Sequence, residues 1–335
     1  MRIFRDTGLR SRELIFCLAL IALFGFPVMF ADEGTLQIQP PAYPFQFIAY
    51  GDIRFTKPSN HEASDPVRRD LLVERIAQEH PAFLIINGDL VLDGSNRADW
   101  AVWDRETAPW REFGIKIFPA LGNHDVRTGA GSDPLNNYFS RFPQIESRRW
   151  YAFRADNCLF LILDSNSEDT PDSPQGEWLR SQLNNVPAEV KFVFLGMHHP
   201  PYTQSSDNIP GGGHSARPQE QQLAHFLEER QRTLAARIIV IAGHVHNYER
   251  YEHAGIMYIV SGGGGATPYL PVRHPHDFYR ETGPTYHYCQ FTVDRDRLKF
   301  QMYKLEMDGG KARWEVKDSF EESAGKAKSR TAIAP

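Results

Sequence analysis

No CxxC pair occurs in this chain of 335 residues, which carries only three cysteines, so thiol redox chemistry is disfavoured. No G-x-S-x-G elbow is present, which removes the usual setting of a serine nucleophile. The first strand-like run ends in "GDIRF" rather than GxGxxG, so a nicotinamide-binding turn is excluded there. The glycine-rich "SGGGGA", residues 261–266, lacks the Lys-Ser/Thr ending of a P-loop and reads instead as a loop approaching a site closely. There is no basic block, and the net charge is −5, so nothing points to nucleic acid held through its phosphates. No internal repeat and no second domain is visible.

What is present is enough for a large core. Hydrophobic residues make up 41% and aromatic residues 12% of the chain, a composition that buries rather than one that stays unfolded. The N-terminus stands apart. Arg2, Arg5, Arg10 and Arg12 precede an uncharged run over residues 14–31. That order reads as a secretory signal, residues 1–31, or as an uncleaved membrane anchor. The chain is therefore expected to be exported, periplasmic or secreted, with membrane attachment only if the segment stays. Met29 is larger than the small residue usual before a cut after Ala31. The two remaining cysteines, Cys158 and Cys289, sit in apolar strand-like runs; they either pair or stand as buried free thiols, and the second is preferred.

Residues 32–45 are rich in proline and polar groups and read as a linker. From there to residue 307 an α/β domain is expected, followed by a charged tail over 308–335 whose end is expected to be disordered. Five apolar runs each end in a polar cluster: "FQFIAYGD", "AFLIINGD", "IKIFPALGNHD", "KFVFLGMHH" and "RIIVIAGHVH". Each reads as a buried strand. Amphipathic stretches separate them, including "DPVRRDLLVERIAQEH" with Asp65 as N-cap, "PQGEWLRSQLNNV" and "RPQEQQLAHFLEERQ". Strands alternating with helices imply an α/β sheet, in which ligands collect beyond the carboxyl ends of the strands. A hairpin is expected at Asp294 and Arg297.

The clusters supply Asp52, Asp89, Asn123 with His124, His198 with His199, and His244 with His246. One aspartate at a strand end is ordinarily a cap or turn. Five strand ends carrying Asp, Asn and His form the mixed oxygen and nitrogen set that suits zinc, iron or manganese. Two-metal hydrolysis requires such a set, with a carboxylate shared by cations about 3.5–4 Å apart.

The ordered motifs GD, GD, GNHD, MHHP and GHVH resemble the calcineurin-like metallophosphoesterases. "GHVHNYER" and "HHPPY" look most like the purple acid phosphatase branch. The resemblance implies a four-layer αββα sandwich of two mixed β-sheets flanked by helices. It implies two divalent or trivalent metal ions (Fe, Zn or Mn) and a small phosphoester substrate, phosphatase or phosphodiesterase, cleaved by a metal-activated hydroxide. Motif by motif, Asp89 would bridge the metals and Asp52 and His246 would bind the first. Asn123, His198 and His244 would bind the second, with His198 selected over His199. His124 would contact the phosphate or protonate the leaving oxygen, and His214, in "GGGH", would reach the site from a loop. The pattern departs twice. Arg54 stands where the superfamily has histidine, and Leu92 where purple phosphatases have tyrosine, so an iron form is not expected to be purple. Arg54 either binds substrate phosphate or pairs with a nearby carboxylate, and His61 is a candidate substitute ligand. The departures also leave open a metal-depleted binding or scaffold protein without turnover.

Overall fold

Two arrays of strands face each other across a core of aromatic rings. The computed structural model describes residues 35–39, 41–208 and 213–324; residues 1–31, read above as signal or anchor, lie outside them. Among the described residues no helix is long and apolar enough to cross a membrane. The first sheet runs in the order β1 (Thr35–Gln37), β5 (Tyr151–Ala155), β6 (Cys158–Ile162), β7 (Phe192–Gly196), β8 (Arg237–Ala242), β10 (Ile256–Ser261), β9 (Tyr248–His253). The second runs β13 (Lys311–Ser323), β12 (Arg297–Asp308), β11 (His287–Asp294), β2 (Phe45–Tyr50), β3 (Phe83–Ile86), β4 (Lys116–Pro119). Both are mixed: β2, β3 and β4 pair in parallel, as do β6, β7 and β8, while β11 and β12 form the expected hairpin with Asp294 opposite Arg297.

The helices are α1 (Pro66–Gln78), α2 (Arg97–Glu106), α3 (Ala108–Glu112), α4 (Pro134–Phe139), α5 (Pro174–Asn184) and α6 (Pro218–Gln231). Asp65 caps α1 by accepting from the Arg68 N–H at 3.0 Å, an arrangement that contributes about 1 kcal/mol. The layering follows from strand alternation. In β6, Phe160 and Ile162 point into the space between the sheets, while Leu159 and Leu161 pack under Leu179 and Leu183 of α5 and Leu223 and Leu227 of α6. Phe47 of β2 meets Phe160 and Phe194 edge-on at 5.1 and 4.9 Å, joining the sheets. On the far side Trp110 of α3 meets Tyr50 of β2 and donates its ring N–H to Val73 of α1. Strands buried on both faces read as continuous apolar runs, which is why β2, β3, β4, β7 and β8 are visible in the sequence. The αββα expectation holds. Cys158 and Cys289 are both buried free thiols.

Two boundaries need correction. Residues 35–37, placed in a linker, form the edge strand β1 beside β5, with Leu36 in the core. Three residues among prolines are too few for a period-two pattern to show. Residues 311–323, placed in a charged tail, form β13, paired with β12 along its length. Its Asp318 takes Arg250 Nε at 2.6 Å and the Tyr248 hydroxyl at 2.7 Å. An edge strand with one mostly solvated face carries many charges, so composition alone resembles a tail. Tyr248, Glu249 and Arg250, part of the "GHVHNYER" motif, begin β9.

His287 of β11 is fully buried. Its Nδ1 donates to the Thr285 carbonyl at 3.0 Å, and its Nε2 meets the Ser261 hydroxyl at 3.0 Å. Burial pushes its pKa down to about 4. The unfolded chain takes a proton near pH 6.5, so this neutral ring stabilises the fold fully above that pH. The contribution is lost as pH falls toward 4, by about 3 kcal/mol. Urea melts from pH 7 to pH 4 should therefore show a steeper loss of stability in the natural chain than in His287→Gln. Equal slopes would rule this out.

Candidate metal centre

All five polar clusters leave the carboxyl ends of parallel strands: Asp52 after β2, Asp89 after β3, Asn123 and His124 after β4, His198 after β7, and His244 and His246 after β8. The local backbone there is unusual. Asp52, Arg54, Asp89 and His244 all have positive φ, of 58°, 53°, 54° and 68°, a region that costs L-residues roughly 1–2 kcal/mol each. The strain is held by a ladder between the two GD loops: Asp52, Ile53 and Arg54 donate their N–H groups to Gly88 and Asp89 carbonyls at 2.9–3.0 Å. Asp125 ties the third loop to the second, its buried carboxylate accepting from Leu90, Val91 and Gly122 N–H groups. The "SGGGGA" loop does approach closely: a Cβ on Gly262 would lie 2.8 Å from Asp52 Oδ2 and 2.2 Å from the Val245 carbonyl.

The first donor set is defined by tautomer. His198 Nδ1 lies 2.8 Å from the Asn87 carbonyl, which can only accept, so that nitrogen carries the proton. Burial pushes the His198 pKa down, which leaves Nε2 a lone pair. That nitrogen lies 2.9 Å from Asn123 Oδ1, 3.2 Å from His244 Nδ1 and 3.3 Å from Asp89 Oδ1. His244 Nδ1 is itself 3.1 Å from Asn123 Oδ1. Four atoms able to ligate a cation thus converge: Asn123 Oδ1, His198 Nε2, His244 Nδ1 and Asp89 Oδ1.

The second set is smaller. His246 Nδ1 donates to the Thr267 carbonyl at 2.8 Å, so its Nε2 is also a lone pair. It faces Asp52 Oδ1 at 3.6 Å. Both atoms are fully buried and neither has a hydrogen-bond partner. Orphaned buried acceptors are costly and need a reason; two facing each other fit a cation. Burial, and then the charge of Asp89, push the Asp52 carboxyl well above its usual range, a penalty that a cation between these donors would relieve. Asp89 lies between the two sets.

Arg54 pairs with a carboxylate: its Nε and Nη2 donate to Asp89 Oδ2 at 3.2 and 3.1 Å. His124 donates Nδ1–H to the Leu92 carbonyl at 2.6 Å, so Leu92 orients it by backbone while its side chain offers no ligand. His124 Nε2 points toward Asp89 Oδ2 at 3.9 Å and the exposed Arg127 at 3.4 Å. Burial leads in pushing its pKa down, to about 4, so the ring is neutral near pH 7. His214 is brought in: it stacks on His244 at 4.3 Å, with Nδ1 near Asp207 at 3.3 Å and Nε2 on the Tyr269 hydroxyl at 3.1 Å. His199 is buried, held by Ser165 Oγ at 2.8 Å, with one ring nitrogen within 4.8 Å of donor atoms of His198 and His244. His61 is exposed and lines a surface cavity with Asp65, Arg68 and Tyr286, apart from the grouped donor atoms.

Sequence reasoning missed several participants. Tyr269 stacks on His246 at 4.2 Å and 9° between planes. Asn87 and Thr267 contribute only carbonyls, and Asp125 only a brace for backbone. None of these carries a motif signal, since their roles exist only after folding.

A family model described as calcineurin-like phosphoesterase matches residues 46–248. Purple acid phosphatase 21 of Arabidopsis thaliana is 24% identical over 296 residues, covering 82% of this chain and 61% of that protein. This chain thus spans less than two thirds of that relative. A purple acid phosphatase from yellow lupin (Lupinus luteus) seeds superposes with a TM-score of 0.66 at 16% identity, over 85% of this chain and 55% of that one. A dimetal phosphatase from Danio rerio superposes with a TM-score of 0.57 at 17% identity, over 84% of this chain and 100% of that one. At these identities the structural likeness speaks to the fold.

Proposed function

The chain belongs to the calcineurin-like phosphoesterase family, and on that premise we propose that it hydrolyses a small phosphoester at a two-cation centre. The observation that carries this reading is the pair of orphaned acceptors, Asp52 Oδ1 and His246 Nε2, facing each other beside the convergent Asn123, His198 and His244 donors. Asn123, His198 and His244 would hold one cation, Asp52 and His246 the other, with Asp89 shared. Iron, zinc and manganese all suit such donors. When bound, the cations would neutralise charge developing on the phosphoryl group and render water nucleophilic near neutral pH.

The chain's own residues supply the rest. Neutral His124 presents its Nε2 lone pair at the mouth of the site. It can take the proton of a phosphate monoanion and pass it to the leaving oxygen. His214, held between Asp207 and Tyr269, lines the same mouth above His244. Neutral imidazoles and one amide keep the loaded centre cationic, which favours an anionic substrate.

The test is turnover of nitrophenyl phosphate and bis-nitrophenyl phosphate after chelation and restoration of each metal in turn. Metal-dependent turnover is expected. His124→Ala should lose about 10²–10⁴-fold in kcat with its metal content intact, and most for poor leaving groups. No turnover with any metal would favour a scaffold protein.

A further inference from the structure

The two oxygens of Asp89 face different company. Oδ1 accepts from the His124 N–H at 2.9 Å and lies 3.3 Å from His198 Nε2, toward the Asn123, His198 and His244 donors. Oδ2 receives both Nε and Nη2 of Arg54. The pair is largely screened from solvent, with side-chain exposures of 13% for Arg54 and 0% for Asp89. Nor is the arginine there by a long loose reach. Its backbone is fixed at positive φ, its N–H bonds the Asp89 carbonyl at 2.9 Å, and its own carbonyl accepts from Ser64 Oγ at 3.2 Å and Arg69 Nη1 at 3.3 Å. The second donor set is correspondingly short. Asp52 Oδ2 is taken by the His244 N–H at 2.7 Å, which leaves Asp52 Oδ1 and His246 Nε2 as its free donors. The third donor a cation there would want, Asp89 Oδ2, already holds a guanidinium.

Resting on the two-cation reading above, we propose that Arg54 is a placeholder cation on Asp89. It competes with a metal at the Asp52 and His246 position and makes loading sequential. The Asn123, His198, His244 and Asp89 Oδ1 position fills first and tightly. The Asp52 and His246 position fills only as the guanidinium lets go of Oδ2, and so exchanges more readily. A guanidinium and a metal cannot both take the same carboxylate oxygen in full, and a charge-assisted hydrogen bond must be broken to admit the metal.

Calorimetric titration of the chelated full chain with Mn²⁺ or Zn²⁺, with metal content counted after equilibrium dialysis, reads this without any assay of turnover. The natural chain should bind in two steps of unequal affinity. Arg54→Ala should tighten the second step by about 10–100-fold and the first by much less, while Arg54→Lys, which keeps the charge, should preserve the inequality. Arg54→Gln, closer in size, replaces the alanine variant if that one fails to fold. Two equal steps in the natural chain, or equal tightening of both steps in the variant, would overturn the role of Arg54 and leave the two-cation reading intact. Failure of both proteins to take a second equivalent would overturn that reading too.

Discussion

Asp89→Asn is expected to lose metal and activity together, with kcat/KM falling by at least about 10³-fold. Asp89 is fully buried and lies 3.3 Å from His198 Nε2, and under the two-cation proposal its charge would serve both cations. An asparagine of the same shape keeps the His124 N–H contact but removes the anion. It also leaves the Arg54 guanidinium in a largely buried position without its partner, a loss that costs about 3–5 kcal/mol. The variant should therefore show a lower melting temperature as well as sub-stoichiometric metal by elemental analysis. Full activity in a metal-free Asp89→Asn protein would refute the mechanism.

Gly122→Ala should be nearly as severe, although glycine has no chemistry to lose. A Cβ there would lie 2.1 Å from the Asp89 N, 2.3 Å from Asp89 Oδ1 and 2.9 Å from Asp89 Cα. The atoms in the way are mostly backbone. They cannot swing aside, because Asp125 fastens Gly122 N–H and Leu90 N–H to one carboxylate at 2.8 and 2.9 Å. Overpacking against a fixed backbone costs about 3 kcal/mol or more, a fall in melting temperature of about 5 °C or more at this size. Relaxation would come by pushing Asp89 off its position, so metal uptake should fall as well. Gly283→Ala is the control, since a Cβ there meets nothing within 4 Å. A Gly122→Ala protein that melts and binds metal like the natural chain would contradict the packing described here.

Much of the centre was legible before folding because its donors follow strands that are apolar on both faces, and both signals are local. The hydrophobic runs of β2, β3, β4, β7 and β8 mark where the chain goes inside. The Asp, Asn and His residues after them mark where it comes out with something to bind. The same logic gave α1 its N-cap at Asp65. Edge elements were the failures. The three residues of β1 are too short to show a period, and β13 wears its charges on a solvated face, so each passed for a connector or a tail.

What the sequence by itself determined is the set of candidate donors: their types, their order along the chain, and the strands that carry them to one edge. These are written residue by residue, in patterns with periods of two or of three to four. What only the tertiary structure decided is who faces whom. Arg54 could be read equally as an anion clamp or an ion-pair partner until the ladder between the GD loops turned it onto Asp89 Oδ2. Tyr269 carried no signal until the glycine loop laid its ring on His246. Such contacts join segments that are far apart in the chain, through backbone turns at positive φ, and no local pattern of residues encodes the register in which distant loops meet.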